Sequence, residues 1–132
     1  MSYAVFIVED SPLIQFVLTA NYEQLGFRVA ATAETAEAAF AYISAHHTNL
    51  NLISLDITLL DEENGVALAK RIRQKNIHTP ILFISGNVDY MSEAATISNS
   101  CFLPKPVSTD DIRRTLQQMG LLPLGERIRA AS

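Results

Sequence analysis

Five reactive side chains follow four apolar segments of this chain, and together they could carry out phosphoryl chemistry. Glu9 and Asp10 follow the first segment, Asp56 follows the second, Ser85 the third, and Lys105 comes just after the fourth. Three neighbouring carboxylates repel one another unless a cation compensates, and Mg²⁺ is a hard cation that prefers such oxygen ligands. Asp56 could then attack phosphorus, while Lys105 and Ser85 bind the other phosphoryl oxygens.

These side chains can meet if the apolar segments are parallel strands of one sheet. Strand-like and helix-like segments alternate five times, which predicts βαβ units and an α/β fold with helices on both faces of a parallel sheet. In such open sheets ligands bind outside the carboxyl ends of the strands. The predicted strands span residues 4–8, 27–31, 50–55, 81–84 and 101–103, and the predicted helices begin near Ser11, Glu34, Asn64, Asp89 and Ser108.

Local signals mark several of the helix ends. Ser11 is a predicted N-cap with Pro12 at the first helical position, and Gly26 provides a C-terminal stop. The fourth helix, over 89–97, has the weakest propensity because it contains Thr, Ser and Asn. In the alanine-rich second helix, the predicted core face is made by Ala38, Phe40, Ala41 and Ile43.

Length and composition predict a single cytoplasmic domain. The five strand–helix units place this domain over residues 3–120, and the remaining residues, 121–132, form a tail that lies outside the pattern. The chain has 132 residues, of which 48% are hydrophobic, and a net charge of −4. This balance argues against nucleic acid or an anionic membrane as the main partner. A single cysteine suits a reducing compartment, and no apolar run approaches the roughly 20 residues of a membrane span.

The ordered set of residues resembles the receiver domain of bacterial two-component response regulators, and in length it is similar to the stand-alone, chemotaxis-type members. The resemblance covers roughly residues 3 to 119. It places Asp56 at the phosphoacceptor position, Ser85 at the Ser/Thr position and Phe102 at the aromatic switch position. The acidic pair Glu9-Asp10 and the pair Lys105-Pro106, whose peptide bond is usually cis in this family, complete the set.

The resemblance implies a fold and a magnesium site. The fold is flavodoxin-like and doubly wound, with five parallel strands in the order 2-1-3-4-5. Asp10 and Asp56 would bind Mg²⁺ directly, the backbone carbonyl of Thr58 would be a third protein ligand, and Glu9 would reach the ion through water. Ser85 and Lys105 would assist self-catalysed transfer to Asp56 and its later hydrolysis, so the chain is not expected to act as an enzyme on a separate metabolite.

The resemblance also implies partners. A histidine kinase or a histidine phosphotransfer protein would donate the phosphoryl group, and Ser85 and Phe102 would then move. A downstream protein would read the face formed by the fourth helix, the fifth strand and the fifth helix, and phosphorylation could also drive homodimerisation. A second apolar stripe on the first helix, Leu13, Phe16 and Ala20, is a candidate docking face for the phosphodonor.

Three departures from the family pattern stand out. Leu60 replaces the usual proline four residues after the acceptor. The Asn64-Gly65 pair comes one residue later than usual, after the acidic stretch 61–63, which predicts a longer and more negative loop that still permits metal binding. Asn99-Ser100 replaces Gly-Ala before the fifth strand, and asparagine tolerates the left-handed conformation expected there.

Other functions that use similar residues fit this sequence less well. Haloacid-dehalogenase enzymes need a second carboxylate at the position of Thr58, and flavodoxins need a phosphate loop where Glu9-Asp10 would repel phosphate. No GxGxxG or P-loop motif occurs. The serious alternative is a pseudo-receiver, a phosphorylation-independent interaction module. The intact set of Asp10, Asp56, Ser85 and Lys105 argues against it.

Overall fold

The computed structural model describes residues 3–121, which form a five-stranded sheet with helices on both faces. The strands are β1 (Tyr3–Val8), β2 (Phe27–Ala33), β3 (Leu52–Leu55), β4 (Ile81–Ser85) and β5 (Ser100–Pro104). The helices are α1 (Pro12–Gln24), α2 (Ala36–His46), α3 (Gly65–Gln74), α4 (Met91–Ala94) and α5 (Thr109–Gln118), and short 3-10 helices span His47–Asn49 and Val88–Tyr90.

The sheet has the expected topology. Its order is β2-β1-β3-β4-β5 and every neighbouring pair is parallel, which confirms the flavodoxin-like prediction. The three central strands are buried almost throughout, as continuous apolar segments require when helices cover both faces of a sheet. Alternate side chains of each strand therefore enter two separate cores, one beneath α2 and α3 and the other beneath α1 and α5.

Helices α1 and α5 begin at the capping residues that the sequence predicts. The Ser11 hydroxyl accepts a hydrogen bond from the Ile14 amide, and Pro12 occupies the first turn of α1. Ser108 and Asp111 form a reciprocal capping box at the start of α5. Asn99 has a φ of 53°, so the asparagine does adopt the left-handed conformation expected before β5.

Four local predictions differ from the structure. β3 begins at Leu52 instead of residue 50, because the Leu50 amide bonds back to the His47 carbonyl at the end of a 3-10 helix. β2 continues to Ala33, because after a register shift in β1 its last residues still pair with the end of β1. α4 is a single turn, and the Thr96 hydroxyl bonds to the Glu93 carbonyl, which is a side-chain alternative to helix continuation. In α2 the buried residues are Ala36, Ala39 and Ile43, whereas Ala38 and Ala41 are exposed and Phe40 is half-buried.

The chain beyond residue 121, which holds nearly all of the predicted tail, lies outside the described residues. Leu121 itself packs against the core beneath α1 and α5, and its amide donates to the Leu116 carbonyl. Among the helices within residues 3–121, none has the length and apolar character needed to cross a membrane.

Candidate functional site

The carboxyl ends of two neighbouring strands bring three acidic residues together. Glu9 and Asp10 follow β1, and Asp56 follows β3, which is hydrogen-bonded to β1. Each of these three residues offers one carboxylate oxygen, and the three oxygens all lie within 4.8 Å of one another. Glu9 and Asp56 are buried, while Asp10 is half-buried. The predicted acidic cluster therefore exists as a geometric arrangement.

Lys105 bridges this cluster from the end of β5. Its Nζ lies 2.7 Å from Glu9 Oε1 and 3.0 Å from Asp56 Oδ2. Its backbone amide donates to the Ser85 carbonyl, and its peptide bond with Pro106 is cis, as the family resemblance implies. The ammonium group thus sits between two carboxylates from different strands.

Backbone groups hold the Asp56 carboxylate in one orientation. The Asp56 amide donates to the Val8 carbonyl at the end of β1. Its Oδ1 accepts hydrogen bonds from the amides of Ile57, at 2.7 Å, and Thr58, at 3.4 Å. Because Oδ1 faces these amides and Oδ2 faces Lys105, both oxygens of the candidate nucleophile are fixed before any reactant arrives.

Glu9 has a pKa well above that of an exposed glutamate. Its pKa is raised from 4.5 to about 7, chiefly because burial disfavours the charged form; the hydrogen bond from Lys105 opposes this rise, and Asp10 and Asp56 add to it. Burial also lowers the pKa of Lys105, but its hydrogen bonds to Glu9 and Asp56 outweigh burial and raise that pKa. Lys105 is therefore cationic at neutral pH, yet one ammonium cannot neutralise three carboxylates.

In EDTA, we expect the free energy of unfolding to fall as the pH rises from about 5 to about 8. Glu9 binds its proton more tightly in the folded chain (pKa about 7) than in the unfolded chain (4.5), so its stabilising contribution is complete below 4.5 and is lost as the pH rises through about 7. Urea unfolding across this range measures the effect. Glu9→Gln should flatten the dependence, whereas Glu23→Gln, an exposed residue of α1, should retain the wild-type slope.

The two candidate switch residues lie on β4 and β5. Ser85 is buried at the end of β4, and its hydroxyl accepts a hydrogen bond from the Asn87 amide at 3.1 Å. Phe102 is half-buried on β5. It lines a cavity of about 480 Å³ toward α5 and another of about 210 Å³ toward α4. Open volume therefore lies beside Phe102 on both faces of β5.

The predicted acidic loop after Asp56 is tied to its surroundings. Asp61 accepts hydrogen bonds from two amides at the start of α2. Glu63 pairs with Arg71, with 2.5 Å between Oε1 and Nη1, and the Arg71 guanidinium lies 4.0 Å from the centre of the Phe40 ring. Glu62 is exposed and lines a cavity of about 230 Å³ beside Thr58 and Asn87. Two of the three carboxylates in the stretch 61–63 are thus held by internal partners.

Sequence reasoning missed three residues that support the site. Gln15 donates from its side chain to the Glu9 carbonyl at 2.6 Å. Gly65 packs so closely on β3 that a Cβ at this position would lie 2.1 Å from the Asp56 carbonyl oxygen. Asp61 is the third, because its partners lie about 25 positions away in the sequence. The Asn64-Gly65 pair was the available signal for Gly65, whereas no local pattern marks Gln15 or Asp61.

Solved structures with the same fold include a chain of the CheX-CheY complex with BeF3 and Mg²⁺ from Borrelia burgdorferi. It is 23% identical, with a TM-score of 0.79 over 88% of both chains. A CheY-like receiver domain from Methylobacillus flagellatus is 21% identical, with a TM-score of 0.78 over 90% of this chain and 99% of that one.

Relatives by sequence point to one family. The virulence transcriptional regulatory protein PhoP of Salmonella choleraesuis and the transcriptional regulatory protein PhoP of Escherichia coli K12 are each 24% identical over 117 residues, which cover 87% of this chain. The chain spans about half the length of these relatives, 50% and 51% respectively. The family model of the response regulator receiver domain matches residues 5–117. The chain therefore belongs to the response regulator receiver domain family.

Proposed function

We propose that this chain is a phosphorylation-dependent signalling receiver, with its domain over residues 3–120. It accepts a phosphoryl group on Asp56 from a histidine kinase or a histidine phosphotransfer protein, and the modification switches a protein-interaction surface. One observation carries the proposal. The buried Asp56 carboxylate lies 3.0 Å from the Lys105 ammonium, inside a cluster completed by Glu9 and Asp10.

The transfer needs a nucleophile and positive charge around the phosphoryl group. A carboxylate oxygen of Asp56 forms a bond to phosphorus while the bond from phosphorus to the donor's nitrogen or acyl oxygen breaks, and the donor leaves with that electron pair. Lys105, released from Asp56 Oδ2 as that oxygen reacts, binds a phosphoryl oxygen, and the Ser85 hydroxyl donates to another. Hydrolysis later returns inorganic phosphate and the free Asp56 carboxylate.

The donor set suits Mg²⁺. Three carboxyl groups converge within 4.8 Å, and the Lys105 ammonium pairs with two of them, Glu9 and Asp56, so a hard divalent cation could balance the negative charge that remains. Asp10, Asp56 and the backbone carbonyl of Thr58 would hold the ion, with Glu9 contributing through water. When bound, Mg²⁺ supplies positive charge that neutralises the developing charge on the transferring phosphoryl oxygens.

The proposed partners meet two different surfaces. On α1, Leu13 and Phe16 are 69% and 75% exposed, which supports docking of the phosphodonor beside the site. The downstream reader would bind the α4-β5-α5 face. Cavities on both sides of β5 support a change in Phe102 there, following a movement of Ser85 toward the phosphoryl group. The same face could serve a homodimer that forms on phosphorylation.

Intact-mass measurement after incubation with acetyl phosphate and Mg²⁺ tests the proposal. We expect one added phosphoryl group in the wild type and none in Asp56→Asn or in the presence of EDTA. Short incubation times and phosphoramidate as a second donor guard against loss of the adduct by rapid hydrolysis. If no adduct forms under any of these conditions, the pseudo-receiver alternative is favoured over the phosphorylated receiver.

A further inference from the structure

The segment between Asp56 and α3, residues 57–64, is here called the acceptor loop, and its middle is attached to the start of α2. Asp61 Oδ1 accepts a hydrogen bond from the Ala36 amide at 2.9 Å, and Oδ2 accepts one from the Glu37 amide at 3.1 Å. The Leu60 amide adds a third bond, to the Glu34 carbonyl at 3.2 Å. Three hydrogen bonds thus join the acceptor loop to the start of a helix that precedes it by about 25 residues.

Asp61 shares the capping of α2 with a local residue. The Thr35 hydroxyl accepts a hydrogen bond from the Ala38 amide at 3.1 Å, which satisfies one of the free amides of the first turn. Asp61 satisfies the two amides before it. Slight burial acts to raise the pKa of Asp61, but the bonds from Ala36 and Glu37 lower it by more, so the carboxylate is ionised at neutral pH. Its negative charge also suits the positive end of the helix dipole.

The acceptor loop connects Asp56, the candidate nucleophile, to the start of α3. At its start, the amides of Ile57 and Thr58 bind Asp56 Oδ1. The Gly65 amide donates to the Ile57 carbonyl at 2.7 Å, which closes the loop against β3. Between these points Leu59 is buried, whereas Leu60 is 63% exposed and contributes little packing. The bonds from Leu60 and Asp61 to the start of α2 therefore add a polar anchor next to the apolar packing of Leu59.

We propose that Asp61 is a positioning residue for phosphoryl transfer, because it holds the acceptor loop against α2 and thereby fixes the Ile57 and Thr58 backbone around Asp56. This inference rests on the proposed function. The attachment lies in the middle of the loop, between Asp56 and α3, so it restricts the positions that the Ile57 and Thr58 backbone can take. Small displacements of groups around a reacting atom reduce rates strongly.

A pair of matched variants separates positioning from simple helix capping. Asp61→Ala and Thr35→Ala each remove a side-chain cap from the start of α2, but only the first releases the acceptor loop. With acetyl phosphate and saturating Mg²⁺, we expect Asp61→Ala to be phosphorylated about tenfold more slowly than wild type. Thr35→Ala should remain within about twofold. Asp61→Asn, which keeps one acceptor oxygen, should fall between the wild type and Asp61→Ala.

Hydrogen exchange provides a readout that does not depend on phosphorylation. In metal-free protein, Asp61→Ala should speed amide exchange at Ile57 and Thr58, whereas Thr35→Ala should speed exchange at the start of α2 alone. If both variants are phosphorylated at the same reduced rate, and amide exchange at Ile57 and Thr58 is unchanged in both, Asp61 is only a helix cap and the positioning role is wrong. If the wild type itself takes no phosphoryl group, the proposed function has failed, and the positioning role fails with it.

Discussion

Replacing Lys105 with methionine should slow the phosphorylation of Asp56 by acetyl phosphate about 100-fold, at saturating Mg²⁺. The Lys105 ammonium already lies 3.0 Å from Asp56 Oδ2, so it needs only a short movement from this carboxylate to bind an oxygen of an arriving phosphoryl group. Removing one such preorganised donor typically costs 10²- to 10³-fold in rate. Quench-flow labelling followed by intact-mass measurement gives the rate constant. A rate within about threefold of wild type would mean that Lys105 does not bind the transferring group.

The same variant should be less stable without metal. Methionine leaves the buried carboxylates of Glu9 and Asp56 without their shared cation, and breaking a buried ion pair from one side costs about 3–5 kcal/mol. The loss should be largest at pH 8 in EDTA and smaller at pH 5, where Glu9 is protonated. Lys70→Met is the matched control. Lys70 makes an exposed pair with Glu93 at 3.6 Å, and such surface pairs contribute at most about 1 kcal/mol.

Gly65→Ala should destabilise the fold by at least about 3 kcal/mol, the upper end of what overpacking costs. A Cβ at Gly65 would lie 2.1 Å from the Asp56 carbonyl oxygen and 2.9 Å from Ile57 Cα. These are backbone atoms of the two residues that follow β3, so no side chain can rotate away to relieve the clash. α3 would have to move away from the sheet, and Asp56 would shift with its peptide group. Urea unfolding at pH 7 measures the loss.

Gly86→Ala is the matched control for this prediction. Gly86 follows β4 on the same edge of the sheet, but a Cβ there would have no atom within 4 Å. We expect this variant to stay within about 1 kcal/mol of the wild type. Equal stability of the two alanine variants would mean that α3 can move at little cost, and the tight contact between Gly65 and Asp56 would then have no structural importance.

Local physical chemistry explains why much of the fold could be predicted. Continuous apolar segments such as residues 4–8 must be covered on both faces, which indicates a parallel sheet between helices. The hydroxyls of Ser11, which precedes Pro12, and of Ser108 each accept a hydrogen bond from an amide three residues further along the chain. These helix caps can therefore be predicted from the local sequence. The φ of Asn99 is likewise a property of one residue in one turn. Each of these signals depends on neighbours along the chain.

The errors arose where local signals were uniform or weak. In α2, alanines occupy both faces, so spacing could not distinguish buried Ala39 from exposed Ala38 and Ala41. The length of β2 depends on its pairing with β1. α4 shortened to one turn because polar side chains near it bond to the backbone, as Thr96 does to the Glu93 carbonyl.

The sequence by itself determined the alternation of strands and helices and the strand ends that carry Glu9, Asp10, Asp56, Ser85 and Lys105. The tertiary structure alone decided that Lys105 bridges Glu9 and Asp56, that Gly65 lies against the Asp56 carbonyl and that Asp61 caps α2. Those contacts join residues separated by between 9 and 96 positions, depending on the pair. Distances across such separations are set by how the packed elements meet, because no dihedral or hydrogen-bond preference of a single segment specifies them.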